Sequence, residues 1–525
     1  MSKRSKGSSR RPGARVVHPT PAAGVPSRSA ADRLMQEGER RAREDTEAGF
    51  KTAVKAFTSA GRMYRALGDR DQEVTSLVYT GSAYTLLGQH ESALEQWEQA
   101  LPILRETGDK SGEAMVLDYM GSAYLVSGQP EMALECLAKS VPLMQEMGDK
   151  AGEARVVSNI AYAFQTTGQV GMALETYENA LRLLQEAGDK PGEAITFNII
   201  GEIHGDKGEP HLALQCFQEA RSICIALGDR ESEIRALNGI ARACRDSGQI
   251  DEALAYFERA LSLAIELGDR DAEATTLNYL AMVLTEAGQL EKAVEQYAKA
   301  LSILRELEDQ EAEAEMLGDM GACFDRLGEP KKALKCYKDA LLILQHLGDE
   351  EGEIAILSMI GWIYRGLDQL EDALEYFQSA LVLSRERGFE GLVAANLNAV
   401  GMVYMDLDEP EEAIECFQEA LPIVREEGLK ALEAATLQSI GSGYVELHQP
   451  EKALDQFQTS LPIAIELGDK SIEAATYQGF GIVYVEMRQP KKALEYLTMA
   501  LALVREMGDE PAEEEIREMM RSIRG

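Results

Sequence analysis

The chain has 525 residues, 45% of them hydrophobic but only 6% aromatic, and a net charge of −36. A body this acidic repels nucleic acid and anionic lipid non-specifically. No apolar run reaches the roughly 18 residues of a membrane span, so no transmembrane helix is expected.

Residues 1–30 hold seven Lys or Arg and no acid; the other 46 bases face all 89 acids, leaving −43 on the remainder. Ser, Pro, Gly and Arg dominate this stretch, which reads as a disordered basic tail. No apolar stretch follows the basic residues, so a secretory signal is not expected. Pro12, Pro19, Pro21 and Pro26 spoil the amphipathic helix of a transit peptide. The tail is a solubilising leader or, if nucleic acid is bound at all, the arm that binds it. Residues 31–46 are polar and read as a degenerate first helix. Residues 50–67 read as a second, with Ala53, Val54, Phe57 and Ala60 in register. Together 31–67 form an N-terminal cap.

From 71 to 509 a unit of 40 residues recurs without insertion or deletion. Gly68-Asp69 returns as Gly108-Asp109, Gly148-Asp149, Gly188-Asp189 and onward to Gly508-Asp509. An active site breaks symmetry, whereas a strict array keeps it and produces surface. In residues 71–107, Leu77, Gly81 and Tyr84 share one helix face. Gly88 ends that helix as a left-handed cap. The second helix turns Ala93, Leu94, Trp97, Ala100 and Leu101 inward. Proline opens it at Pro130, Pro210, Pro330, Pro410, Pro450 and Pro490, where a missing N–H costs nothing. Pro102, Pro142, Pro422 and Pro462 lie deeper in the second helix and should bend it. Gly108 stops it, and Asp109 and Glu113 suit the positive start of the next helix. Gly81 and its equivalents Gly121, Gly201, Gly321, Gly361, Gly401, Gly441 and Gly481 let the partner helix approach closely. Residues 510–525 read as a solvating C-terminal cap.

The order Leu77, Gly81, Tyr84, Ala93, Trp97, Ala100 resembles the tetratricopeptide repeat signature, and it holds across eleven repeats. The family unit has roughly 34 residues, six fewer than here, and the extra six are expected in the second helix and its exit loop. This longer variant is similar to the arrays of Pins-type polarity scaffolds, kinesin light chains and bacterial proteins that pair such repeats with a CHAT protease domain. No GoLoco motif, long coiled coil or caspase-like domain accompanies it, so those partners do not transfer. The resemblance implies an all-α, right-handed α-solenoid of antiparallel helix pairs whose concave wall is lined by first helices.

By that resemblance the stripe Thr75, Val78, Ser82, Thr85 and its copies faces a groove. Asn198, Asn238, Asn278 and Asn398 recur on it, and an amide that donates and accepts suits an extended peptide backbone; the alternative is a bond to the neighbouring helix. Arg235, Asn238, Arg242 and Arg245 share one face of one helix. Their guanidinium forks suit an acidic or C-terminal carboxylate segment, unless Glu202, Asp206 or Asp246 pairs them within the array. Arg155 and Arg365 sit on the stripe elsewhere. Beyond residue 390 it turns apolar, with Met402 and Met405 offering flexible contacts to a hydrophobic segment. Trp362 stands between as an anchor, or as a wedge between repeats.

Seven cysteines show no CxxC pair, and Cys136, Cys216, Cys336 and Cys416 share one slot of the repeat. They read as small packing residues in a reducing cytoplasm. Six histidines lack ligand spacing, and no phosphate loop, HExxH or GxSxG occurs, so neither enzyme, cofactor nor metal is expected. The expected function is a non-catalytic protein-interaction scaffold holding a peptide or protein partner, without a small-molecule substrate. The alternative is a ligand-sensing regulatory subunit of a signalling or protease-type effector.

Overall fold

The computed structural model describes residues 27–524. All regular structure among them is helical: twenty-five helices run from α1 (Arg28–Ala42) and α2 (Glu47–Leu67) to α25 (Glu510–Arg524). The basic tail lies outside the described residues, except that α1 already takes in residues 28–30. Each of the eleven repeats supplies two helices, as α3 (Arg70–Thr85) and α4 (His90–Thr107) do for the first. Consecutive helix pairs pack as an array, and the described residues group into two compact units divided between Gln249 and Ile250.

Both connections are short because glycine closes them. Gly88 has φ +70, and the amides of Gly88 and Gln89 return to the carbonyls of Thr85 and Tyr84, both at 2.9 Å. These bonds satisfy carbonyls that the helix end leaves open. At the other connection Gly108 has φ +73, and the Asp109 carboxylate accepts from the Gly112 amide at 3.0 Å. Only two residues separate α4 from α5 (Lys110–Val126), so the exit loop is not lengthened as expected; the extra length is helix. In four consecutive repeats the hairpin glycine is replaced, and Asp368, Asp408, His448 and Arg488 hold the left-handed conformation instead.

The hairpin interior is built on a notch. A Cβ on Gly361 would come 2.8 Å from the ring of Phe377, which is fully buried. Glycine there lets an aromatic ring lie against the first-helix backbone, gaining dispersion contacts that any side chain would displace. Ala93 and Ala100 and their equivalents are buried across the second helices. Successive repeats are also stitched by charge. Arg105 reaches Glu113 at 2.6 Å, Arg305 reaches Glu313 at 2.6 Å, and Arg425 reaches Glu433 at 2.7 Å. Glu113 therefore serves an ion pair as well as the helix dipole. The arginines are half-exposed, so each pair contributes about 0.2–1 kcal/mol.

Candidate partner-binding face

The repeat decides which first-helix positions stay open. The slot of Val78 is largely closed by the next repeat: Asp118 is 2% exposed, Asn198 1%, Asn238 8% and Asn398 8%. The open positions are those of Thr75, Ser82 and Leu86. Exposed large apolar residues gather on and beside them: Leu86, Val126, Tyr162, Ile195, Met359, Trp362 and Val485. Of the stripe expected to face a groove, Thr75 and Ser82 are partly open to solvent, whereas in the amide slot between them Asn198, Asn238 and Asn398 are buried and Asn278 is half-buried. Asn398 Nδ2 donates to the Ala394 carbonyl of its own helix at 2.9 Å. The Oδ1 atoms of Asn198 and Asn278 are buried with no hydrogen-bond partner among the described residues.

In the first unit this face carries two charged clusters. Asp118 accepts from Arg155 Nε at 2.8 Å and from Asn159 Nδ2 at 2.9 Å, so Arg155 is held by the array. On α9 (Lys190–Asp206) and α11 (Arg230–Asp246), Glu202 is partly buried. Burial pushes its carboxyl above the usual range, while Arg235 and Arg242 pull it back down. Arg242 lies 4.0 Å from Asp206, and Arg245 reaches Asp246 at 2.8 Å. Arg235 is exposed. The cluster therefore pairs acids and bases within the array and still presents guanidinium groups to the open side.

In the second unit Trp362 does two things at once. Its ring packs edge-on against Phe377, centroids 5.0 Å apart, yet it is 38% exposed. The Arg365 guanidinium lies 5.5 Å from the Trp362 ring and bonds Asp406 at 2.5 and 3.1 Å. Met402 and Met405 are half-buried against the cluster of Ala413, Phe417 and Ile440. They floor the face rather than stand out from it.

A further feature of this face is not among the residues expected from sequence. A cavity of about 340 Å³ opens between α3, α4 and α5, with Trp97 and Tyr119 in its lining and His90 beside them. Its signal in the sequence is three departures from the repeat, which only the fold brings together. The cysteines behave as packing residues: burial pushes the Cys224, Cys336 and Cys416 thiols up to about 11. Among the described residues no His, Cys, Asp and Glu group is placed to hold a metal ion, and no helix is long and apolar enough to cross a membrane.

Several solved structures are similar. BtubC (BKLC) from P. vanneervenii is 24% identical over 42% of this chain and 92% of its own, with a TM-score of 0.38. The apo form of RapI is 18% identical over 63% and 97%, with a TM-score of 0.48. Aspartyl phosphate phosphatase F from Bacillus subtilis is 14% identical over 69% and 96%, with a TM-score of 0.45. A search of curated proteins finds no match. The family model for the tetratricopeptide repeat matches residues 72–146, 152–226, 192–266, 232–306, 272–346, 312–386, 392–466 and 433–506. These matches cover well over half of the sequence, and the chain belongs to the tetratricopeptide repeat family.

Proposed function

We propose that the chain is a non-catalytic protein-interaction scaffold that holds segments of a partner on its first-helix face. The observation that carries this reading is where the repeat varies. The packing slots of Gly81, Ala93 and Trp97 stay small or hydrophobic throughout, while the open slots of Thr75, Ser82 and Leu86 change chemistry from repeat to repeat and expose large apolar side chains in several of them. An array that served only its own stability would keep these positions polar.

In the first unit Arg235, Arg242 and Arg245 favour an acidic or extended segment, because a guanidinium matches a carboxylate with two parallel bonds. In the second unit Trp362, Met402 and Met405, flanked by Arg365, favour an apolar segment. The test is capture from native lysate with the wild type and with Arg242→Glu, the fold checked by circular dichroism. Loss of a captured protein in the folded variant supports the reading, and an unchanged captured set discards it.

A further inference from the structure

The cavity in the first unit collects three breaks in an otherwise regular array. The slot of His90 holds proline or an aliphatic residue in every other repeat, as at Pro130, Val170, Ile250 and Leu290. The slot of Trp97 holds leucine, tyrosine or phenylalanine elsewhere. The slot of Leu86 is apolar only there and at Val126; the other repeats carry Thr166, Asp206, Asp246, Glu286, Arg326, Gly366, Asp406, Glu446 and Glu486. All four residues line the same cavity, and Leu86 and Val126 are 59% and 70% exposed at its rim. Hydrophobic residues left in water at two adjacent repeats, where every other repeat avoids them, need a compensating contact.

The polar groups of the lining narrow the ligand. Trp97 Nε1 donates to the Val78 carbonyl at 3.4 Å. Thr85 Oγ1 donates to the Gly81 carbonyl at 3.2 Å, and Ser122 Oγ accepts from Asn159 at 3.2 Å. His90 Nδ1 is buried and has no hydrogen-bond partner among the described residues. A neutral imidazole with its proton on Nε2 offers that atom as an acceptor. A buried acceptor left unpaired is costly, so a ligand that brings one donor gains from filling it. No Lys, Arg, Asp or Glu lines the cavity, so a charged ligand would lose its hydration without compensation. The volume of about 340 Å³ lies at the small end of the roughly 300–1,000 Å³ range of ligand pockets.

We propose that this cavity binds one neutral aromatic ring bearing an O–H donor, the phenol of a tyrosine presented by a partner segment, with His90 Nδ1 accepting a hydrogen bond from its hydroxyl. The ring site stands by itself; that a partner presents the ring rests on the scaffold reading above. Tyr119, which is half-buried, and the exposed rim residues Leu86 and Val126 give the ring its remaining contacts, with the edge of the buried Trp97 beneath them.

The chain has two tryptophans, so Trp362→Phe leaves Trp97 as the single fluorescent reporter at the cavity. Titration of this protein with p-cresol and with toluene is expected to perturb Trp97 emission in both cases, with p-cresol bound about fivefold more tightly for its hydrogen bond. His90→Leu places the side chain that Leu290 and Leu370 carry in sister repeats, so it is compatible with the fold, and it should abolish the preference while toluene still binds. Val126→Asp, the residue of that slot at Asp206 and Asp246, should weaken both ligands. N-acetyl-tyrosinamide should compete with p-cresol. Silence of Trp97 to both ligands, or an unchanged preference in His90→Leu, overturns the ring site. Binding of p-cresol without competition from N-acetyl-tyrosinamide overturns the presented side chain. The scaffold reading is decided separately by the Arg242 reversal.

Discussion

Arg155→Met separates an arginine that holds the array from one that serves its open face. Arg155 Nε donates to Asp118 Oδ2 at 2.8 Å, and the Asp118 side chain is only 3% exposed. Methionine keeps most of the stem but removes the guanidinium, leaving a buried carboxylate with Asn159 as its remaining side-chain donor. Losing a hydrogen bond to a charged group costs roughly 1.5–3 kcal/mol. Arg155 is 56% exposed, and solvent screening of its charge places the loss toward the lower half, about 2 kcal/mol. In a repeat array such a loss is felt locally, so the assay is hydrogen exchange of amides in α5 and α7 (Lys150–Thr166). About 2 kcal/mol corresponds to exchange roughly thirtyfold faster. Asp118→Asn should rescue Arg155→Met, because Asn198, Asn238 and Asn398 already fill the same buried slot. A change below about threefold, or a double variant as labile as Arg155→Met alone, refutes the reasoning.

Arg488→Gly relieves a left-handed residue with φ +56. The strain of about 1–2 kcal/mol is partly offset by the unfolded-state freedom of glycine, so exchange around the α23–α24 turn (Lys470–Glu486, Pro490–Met507) should slow about two- to fivefold, and Gly128→Arg should hasten it in its own hairpin. Asp469→Ala removes a carboxylate that accepts from the amides of Ser471 and Ile472, both at 3.0 Å. The loss should be about 1 kcal/mol, read as faster exchange in the first turn of α23, and unchanged exchange would count against the cap. Burial, reinforced by Glu315, pushes the Asp319 carboxyl above its usual range. Its folded state therefore binds a proton more tightly than the unfolded chain, and stability falls as pH rises through that raised value. Asp319→Asn, which can still accept from Tyr297, should raise the melting temperature at pH 7 and leave it nearly unchanged well below the carboxylate range; equal shifts at both pH values would refute this account.

Much of the fold is readable along the chain because its signals are local. Gly108 needs only its own left-handed φ, Asp109 only the amide three residues on, and Pro130 only its place at a helix start. The face open to a partner is harder to read. Thr75 and Val78 are one turn apart on the helix, about 60° around its axis, and both slots hold residues that look suitable for recognition. Packing covers one and leaves the other, so Asn198 is buried while Ile195 is 47% exposed. Arg155 and Arg242 occupy related slots and look alike in the sequence, but Arg155 is bonded to a buried aspartate 37 positions earlier in the chain, whereas Asp206, 4.0 Å from Arg242, is exposed.

The amino-acid sequence by itself determined the helices, their caps, their pairing into hairpins and the count of repeats, because each depends on contacts within one unit and the unit is written eleven times. Tertiary packing decided which polar residues are sealed, which arginines are already paired, and that His90, Trp97 and Val126 meet around one cavity. Those outcomes depend on side chains a full repeat apart, whose approach is set by how one hairpin seats against the next and not by anything either hairpin contains alone.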